Sequence, residues 1–144
     1  MSDERRSSET RGVRGAQRPR SSSEQIVRDF CAAWARRDID ELVGYFTEDA
    51  IYHNIPTDPA QGYDAIRGVL KLFVPMASGI EFEIKHLAAD GDIVFTERVD
   101  HFQLRNGKVS IPVAGIFEVC DGKIAAWRDY FDMQQFMTQL QAAT

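Results

Sequence analysis

Apolar residues along the chain recur at helical spacing in its first half and alternate at strand spacing in its second. Ile26, Val27, Phe30, Cys31 and Trp34 form one stripe, which predicts a helix over about 23–37. Ser21 or Ser23 can cap it, and Ser21 with Glu24 has capping-box spacing. Asp38 followed by Glu41 repeats that starting signal, and Leu42, Val43 and Phe46 supply the next stripe. A short mixed segment, 50–55, ends at Pro56 and leads into a loop. From Tyr63 to Val74 the pattern is helical again, with Ile66, Val69, Leu70 and Phe73 on one side and Pro75 as the stop.

After residue 80 the reading changes to a strand meander. Strands are expected over 80–87, 93–104, 109–119 and 124–131, separated by Asp90-Gly91, Asn106-Gly107 and Asp121-Gly122. A last helix starts near Asp132, with Met133, Phe136, Met137 and Leu140 as its buried side. Helices followed by a mostly antiparallel sheet make an α+β pattern. The length of two of the strands suits a sheet that bends around a cavity.

Composition adds bounds rather than a function. The chain is 44% hydrophobic and 27% charged, ordinary for a globular protein, and 144 residues fit a single domain. Residues 1–22 differ: six arginines against three acids, many serines and almost nothing to bury. They are expected to be a disordered tail ahead of one domain spanning 23–144. The formal net charge is -5, and without the tail the rest of the chain stands near about -8. That balance argues against a nucleic-acid partner. No apolar run approaches the roughly 20 residues needed to span a bilayer, and no secretory signal follows Met1. A cytoplasmic protein with no membrane partner is the expectation. Cys31 and Cys120 read as two reduced thiols. His53, His86 and His101 have no tight ligand spacing, so neither a metal nor a cofactor is expected.

The informative residues are polar ones on strands that should be buried. In IVFTERVDHFQL, Val94, Thr96, Arg98, Asp100 and Phe102 share a face; in IAAWRDYF, so do Trp127, Asp129 and Phe131. With Asn106-Gly107 as a two-residue loop, Asp100 pairs opposite Val113. A two-residue second turn then points Asp129 the wrong way, whereas a three-residue turn, Cys120-Asp121-Gly122, sets it opposite Val113 and cofacial with Asp100. The pattern leaves that choice open. It also allows plainer readings, in which Arg98–Asp100 is an exposed intrastrand ion pair and Asp129 is a partner for Arg128 or a helix cap.

The segments YHNIP (Tyr52–Pro56), FTERVD (Phe95–Asp100), GIFEV (Gly115–Val119) and WRDYFD (Trp127–Asp132) resemble the limonene-1,2-epoxide hydrolase family over roughly residues 24–140. The resemblance implies a cone-shaped fold shared with nuclear transport factor 2 and ketosteroid isomerase. In it, N-terminal helices pack on a strongly curved, mostly antiparallel sheet that encloses a deep pocket, and the protein is a homodimer. It further implies a catalytic Asp-Arg-Asp centre at Asp100, Arg98 and Asp129, with Tyr52 and Asn54 holding a water. The reaction expected from it is one-step hydrolysis of a small apolar epoxide to a diol without a cofactor. Asp129 would be the base and Asp100 the acid. Leu70, Phe73, Met76, Val94, Phe102, Ile111, Val113, Phe131 and Phe136 are the candidates for an apolar pocket wall. An isomerase or polyketide-cyclase-like enzyme, or a non-catalytic ligand-binding protein, remains the alternative that the same fold allows.

Overall fold

A computed structural model describes residues 22–144. The tail expected over 1–22 lies outside the described residues except for Ser22, which opens the first helix. In chain order the elements are α1 (Ser22–Ala33), a 3-10 turn (Trp34–Arg36), α2 (Ile39–Val43), β1 (Phe46–Asn54), β2 (Ala60–Gln61), α3 (Tyr63–Phe73) and a second 3-10 turn (Val74–Met76). Then follow β3 (Gly79–Asp90), β4 (Ile93–Leu104), β5 (Gly107–Cys120), β6 (Lys123–Tyr130) and α4 (Met133–Ala143).

The six strands form one sheet in the order β2-β1-β6-β5-β4-β3. The pairing β1–β6 is parallel and the other four are antiparallel. This corrects the expected shape. The fold is α+β and the mixed sheet is curved, but it does not curl strongly or close. Among the described residues β2 and β3 are the free edges, and the open sheet encloses no deep pocket. The reason lies in β1, which returns beside the last strand rather than meeting β3 across a barrel.

Local signals explain most element ends. Asp38 caps α2 by accepting the Glu41 N–H at 3.2 Å. The helix stops at Gly44, so Phe46, read in sequence as part of a helical stripe, instead begins β1. Ser23 does not cap α1. It is buried inside the first turn, and its hydroxyl donates to Asp92 Oδ1 at 2.7 Å, tying the helix to the β3–β4 turn. Asp132 caps α4 through the Gln135 N–H at 3.1 Å. Beyond the end of β6, Gln139 of α4 satisfies both backbone groups of Ser110, at 2.7 and 3.0 Å. A side-chain amide thus stands in for the missing neighbouring strand.

Register decides which side chains meet. Leu104 pairs with Gly107, so the β4–β5 loop is Arg105-Asn106, and Asp100 lies opposite Ile111 rather than Val113. Cys120 pairs with Lys123 around Asp121-Gly122, whose φ values of 49° and 79° suit the mirror-image turn that hairpins favour. The extra residue expected in this turn is displaced into the strand. Val119 pairs with Ile124 but Glu118 pairs with Ala126, leaving Ala125 as a bulge. A shift of two in the first hairpin and the bulge in the second both preserve parity. Asp100, Ile111, Val113, Gly115 and Asp129 therefore share the inner face, with Asp129 opposite Gly115.

Helices and inner face meet in an aromatic core. Phe30 of α1 lies edge-on to Trp127 at 5.0 Å and to Phe46 at 5.4 Å, and all three rings are buried. Replacing Phe30 with alanine is expected to lower stability by about 3–5 kcal/mol, read from the midpoint of urea unfolding.

Candidate active site

Arg98 is the unusual member of this core. It projects from β4 onto the inner face and is 0% exposed. A buried guanidinium must have its charge and its five donors satisfied, and here every donor is used. Nε donates to Asp100 Oδ1 at 2.9 Å and Nη2 to Asp100 Oδ2 at 2.8 Å, a two-pronged grip on one carboxylate. Nη2 also donates to Asp129 Oδ2 at 2.8 Å, and Nη1 reaches Asp129 Oδ1 at 3.2 Å and Thr96 Oγ1 at 3.1 Å. The ring of Phe82 faces the guanidinium carbon at 4.9 Å. Neither aspartate exceeds 4% exposure, so the reading of Arg98–Asp100 as an exposed surface pair does not hold.

Gly115 makes this packing possible. A Cβ there would strike the Arg98 guanidinium, lie 2.7 Å from Asp129 Oδ1 and 3.0 Å from Thr96 Oγ1. The glycine serves close approach; positive φ is not involved. Thr96 and Phe82 are the partners that sequence reasoning missed. Thr96 shared the face of Arg98 in the alternating pattern, but nothing in its spacing marks a hydroxyl as an acceptor for a buried cation.

Parallel pairing of β1 with β6 brings up the next two residues. Tyr52 sits opposite Trp127 and Asn54 opposite Asp129. The Tyr52 ring stacks on Trp127 at 4.2 Å and 6°, and its hydroxyl donates to Asn54 Oδ1 at 3.2 Å. Trp127 in turn donates its indole N–H to Asp129 Oδ1 at 2.6 Å. Arg128 faces away and pairs with Glu118 at 2.7 Å.

Asp100, Asp129, Tyr52 and Asn54 all line one cavity of about 240 Å³. Of the apolar candidates, Phe73, Phe102, Ile111, Val113, Phe131 and Phe136 line it as well. Three do not. Leu70 and Val94 are fully buried in the core, and Met76 faces a separate small hollow beside Phe136 and Leu140. On α3 the residues turned to the cavity are Val69, Leu72 and Phe73, one step round the helix from the buried Ile66 and Leu70. Trp34, Phe82 and Met133 complete the apolar wall, and Thr57 and Asp58 add a polar edge from the loop after β1.

Burial pushes the Asp100 carboxyl up to about 6; Arg98 pulls against this and the nearby Asp129 charge adds to it. Burial alone would lower Arg98, but Asp129 and Asp100 hold it well above its ordinary value. Burial also raises the Tyr52 phenol, keeping it a neutral donor. Cys31, in α1 behind the ion pairs, is pushed up to about 12 by burial. The histidines are engaged outside the cavity: His53 with the Thr57 carbonyl, His86 with Glu97, and His101 with Glu83 and Ser110. Among the described residues no group of three or more His, Cys, Asp or Glu side chains could hold a metal ion. Nor is any helix among them long and apolar enough to cross a membrane.

Residues 21–142 match the model of the limonene-1,2-epoxide hydrolase catalytic domain. The chain belongs to the limonene-1,2-epoxide hydrolase family. This epoxide hydrolase is 36% identical over 112 residues to epoxide hydrolase EphG of Mycobacterium tuberculosis, covering 74% of this chain and 71% of that one. Among solved structures, an epoxide hydrolase of the same type from M. tuberculosis superposes with a TM-score of 0.72 at 31% identity, over 85% of this chain and 91% of the other. A protein described as a SnoaL-like polyketide cyclase from Shewanella denitrificans reaches a TM-score of 0.76 at 18% identity, over 85% and 99% of the two chains. That last likeness speaks for the fold alone.

Substituting Gly115 with alanine forces the Arg98–Asp129 contact apart. Turnover of an epoxide is expected to fall at least about 100-fold, a misplacement effect, with far-ultraviolet circular dichroism unchanged. A rate within twofold of wild type would show that the ion pairs tolerate displacement.

Proposed function

We propose that this epoxide hydrolase converts a small apolar epoxide, terpene-like or cycloalkene-derived, to a vicinal diol in one step, with Asp129 as general base and Asp100 as general acid. The observation that carries the reading is the completely buried Arg98, which binds both acids at the wall of one mostly apolar cavity. Epoxide opening by water needs a proton taken from the nucleophile and another given to the ring oxygen. Two carboxylates in different electrostatic settings meet that need.

The surroundings support the division of roles. Asp100 receives two hydrogen bonds, both from Arg98, and burial pushes it up to about 6, which favours the protonated donor form. Asp129 receives three, two from Arg98 and one from Trp127, and lies opposite Asn54 in the parallel pairing, beside the candidate water site. With the Tyr52 hydroxyl donating to Asn54, the attacking water would donate to Asp129 and to the Tyr52 oxygen and accept from the Asn54 amide. One lone pair remains for the ring carbon. Arg98 has no donor left for substrate, so its role is to hold the two acids and to balance their charge. The water's oxygen bonds to carbon as the C–O bond opposite breaks, and the departing oxygen takes the proton of Asp100. The products are a trans-related diol and an enzyme with its proton moved from one acid to the other.

The cavity supports a compact substrate. Its volume of about 240 Å³ lies below the roughly 300–1,000 Å³ of pockets for drug-sized ligands. Asp100→Asn and Asp129→Asn are each expected to lower kcat on cyclohexene oxide or limonene oxide by about 100-fold or more. In a single turnover in ¹⁸O water, the label should appear in the diol. Label found first in a protein carboxylate rules out direct attack, and an isomerised product with no added water supports the isomerase alternative.

The pH dependence has a definite sign. Asp100 must hold a proton, so kcat/KM is expected to decline as pH rises through about 6. A bound apolar substrate removes remaining water and raises the group further, placing the corresponding limb of kcat at higher pH.

A homodimer joined through the outer sheet face belongs to the same proposal. Phe95 and Tyr130 stand 44% and 43% exposed there, beside Pro112 and Ala114. Sedimentation velocity should give twice the chain mass for the wild type and the monomer mass for Phe95→Glu; a monomeric wild type removes this part of the reading.

A further inference from the structure

Trp127 does more than fill the core. Its ring is 0% exposed, and it contacts both halves of the candidate water site. One face stacks on Tyr52 at 4.2 Å, nearly parallel, and Phe117 is stacked against it at 5.4 Å. Phe30 meets it edge-on at 5.0 Å. Held by these rings, the indole N–H is aimed at a single atom, Asp129 Oδ1, at 2.6 Å. The alternation of β6 brings this about, because residues two apart lean over the same face.

The consequence is an asymmetry between the two oxygens of Asp129. Oδ1 accepts from Trp127 and from Arg98 Nη1, and so has both in-plane acceptor directions occupied. Oδ2 accepts only from Arg98 Nη2 and keeps one direction free. We propose that Trp127 is a positioning residue for the hydrolysis: its N–H occupies Oδ1 of Asp129 so that Oδ2 takes the water's proton, while its ring face orients Tyr52 toward the same water. One side chain thereby sets the angle between base and water-holding phenol. The inference rests on the reading of Asp129 as the base, and it adds the atom and the residue that selects it.

The two tryptophans permit a test on the unaltered protein. Trp34 is also buried, but its indole N–H has no hydrogen-bond partner among the described residues. It serves as the internal reference. With ¹⁵N-labelled indoles, the Trp127 N–H resonance should move with pH at the same midpoint as the acid-side limb of kcat, while that of Trp34 stays nearly constant. A Trp127 resonance that is silent across that limb, or that moves at a different midpoint, overturns the proposal. Trp127→Phe keeps a ring against Tyr52 and removes the donor. Its kcat on cyclohexene oxide should fall by about tenfold or more, with KM within about twofold. Its acid-side limb should move to higher pH, because a carboxylate that loses a donor holds its proton more tightly. Looser packing alone would lower the rate without moving the limb, and that result also counts against the proposal. Asp129→Asn separates the two levels. If it still turns over, the base assignment fails; if it is inactive while the Trp127 resonance is silent, only the positioning role fails.

Discussion

A guanidinium sealed inside an aromatic core would be ruinous to the fold if left alone, since an unpaired buried charge costs far more than any single packing contact returns. Arg98 is tolerated because two carboxylates and a threonine hydroxyl take up all five of its N–H groups. The three charges do not cancel. With both acids ionised the cluster carries a net negative charge in apolar surroundings, and one added proton neutralises it. The same desolvation that makes the cluster hard to bury pushes Asp100 upward. Structural necessity and acid–base chemistry are therefore one electrostatic problem at this site.

The rest of the fold can be understood as what keeps that cluster dry and aligned. Strand β5 crosses between the two acid-bearing strands and contributes Gly115 where a side chain would separate them. Helix α1 and the 3-10 turn that follows it close the inner face with Phe30 and Trp34, whose rings meet those of Trp127 and Phe82 around the guanidinium. Both acids reach the wall of the cavity, where Tyr52 and Asn54 arrive from a different part of the chain. Because β1 runs parallel to β6, these two residues sit beside Trp127 and Asp129 in step, so the four form a ladder of side chains.

Parts of this arrangement could be read directly from residue patterns. Alternation in TERVD and WRDYFD marked Arg98, Asp100 and Asp129 as polar residues on apolar faces, and the helical stripes of α1 and α3 follow from spacing. The face shared by the acids depends on parity alone, which is why it survived two wrong details: a loop placed one residue late and a turn credited with the extra residue that Ala125 carries as a bulge. Other features were out of reach. Thr96 as an acceptor and Trp127 as a donor to Asp129 are consequences of how rings pack, and rotation of α3 by one position exchanged Leu70 for Val69 and Leu72 at the cavity wall.

The sequence by itself determined which residues alternate, where α2, α3 and α4 begin, and that Arg98 and Asp100 share one face of a strand, because these depend on short-range periodicity; whether Asp129 joins that face, and whether the face is buried, it left open. Tertiary structure alone decided that β1 lies parallel to β6, that the sheet stays open at its two edge strands, and which oxygen of Asp129 keeps a free acceptor direction. Those outcomes depend on contacts between segments some 75 residues apart, as between Asn54 and Asp129, and no local pattern encodes the order in which strands assemble.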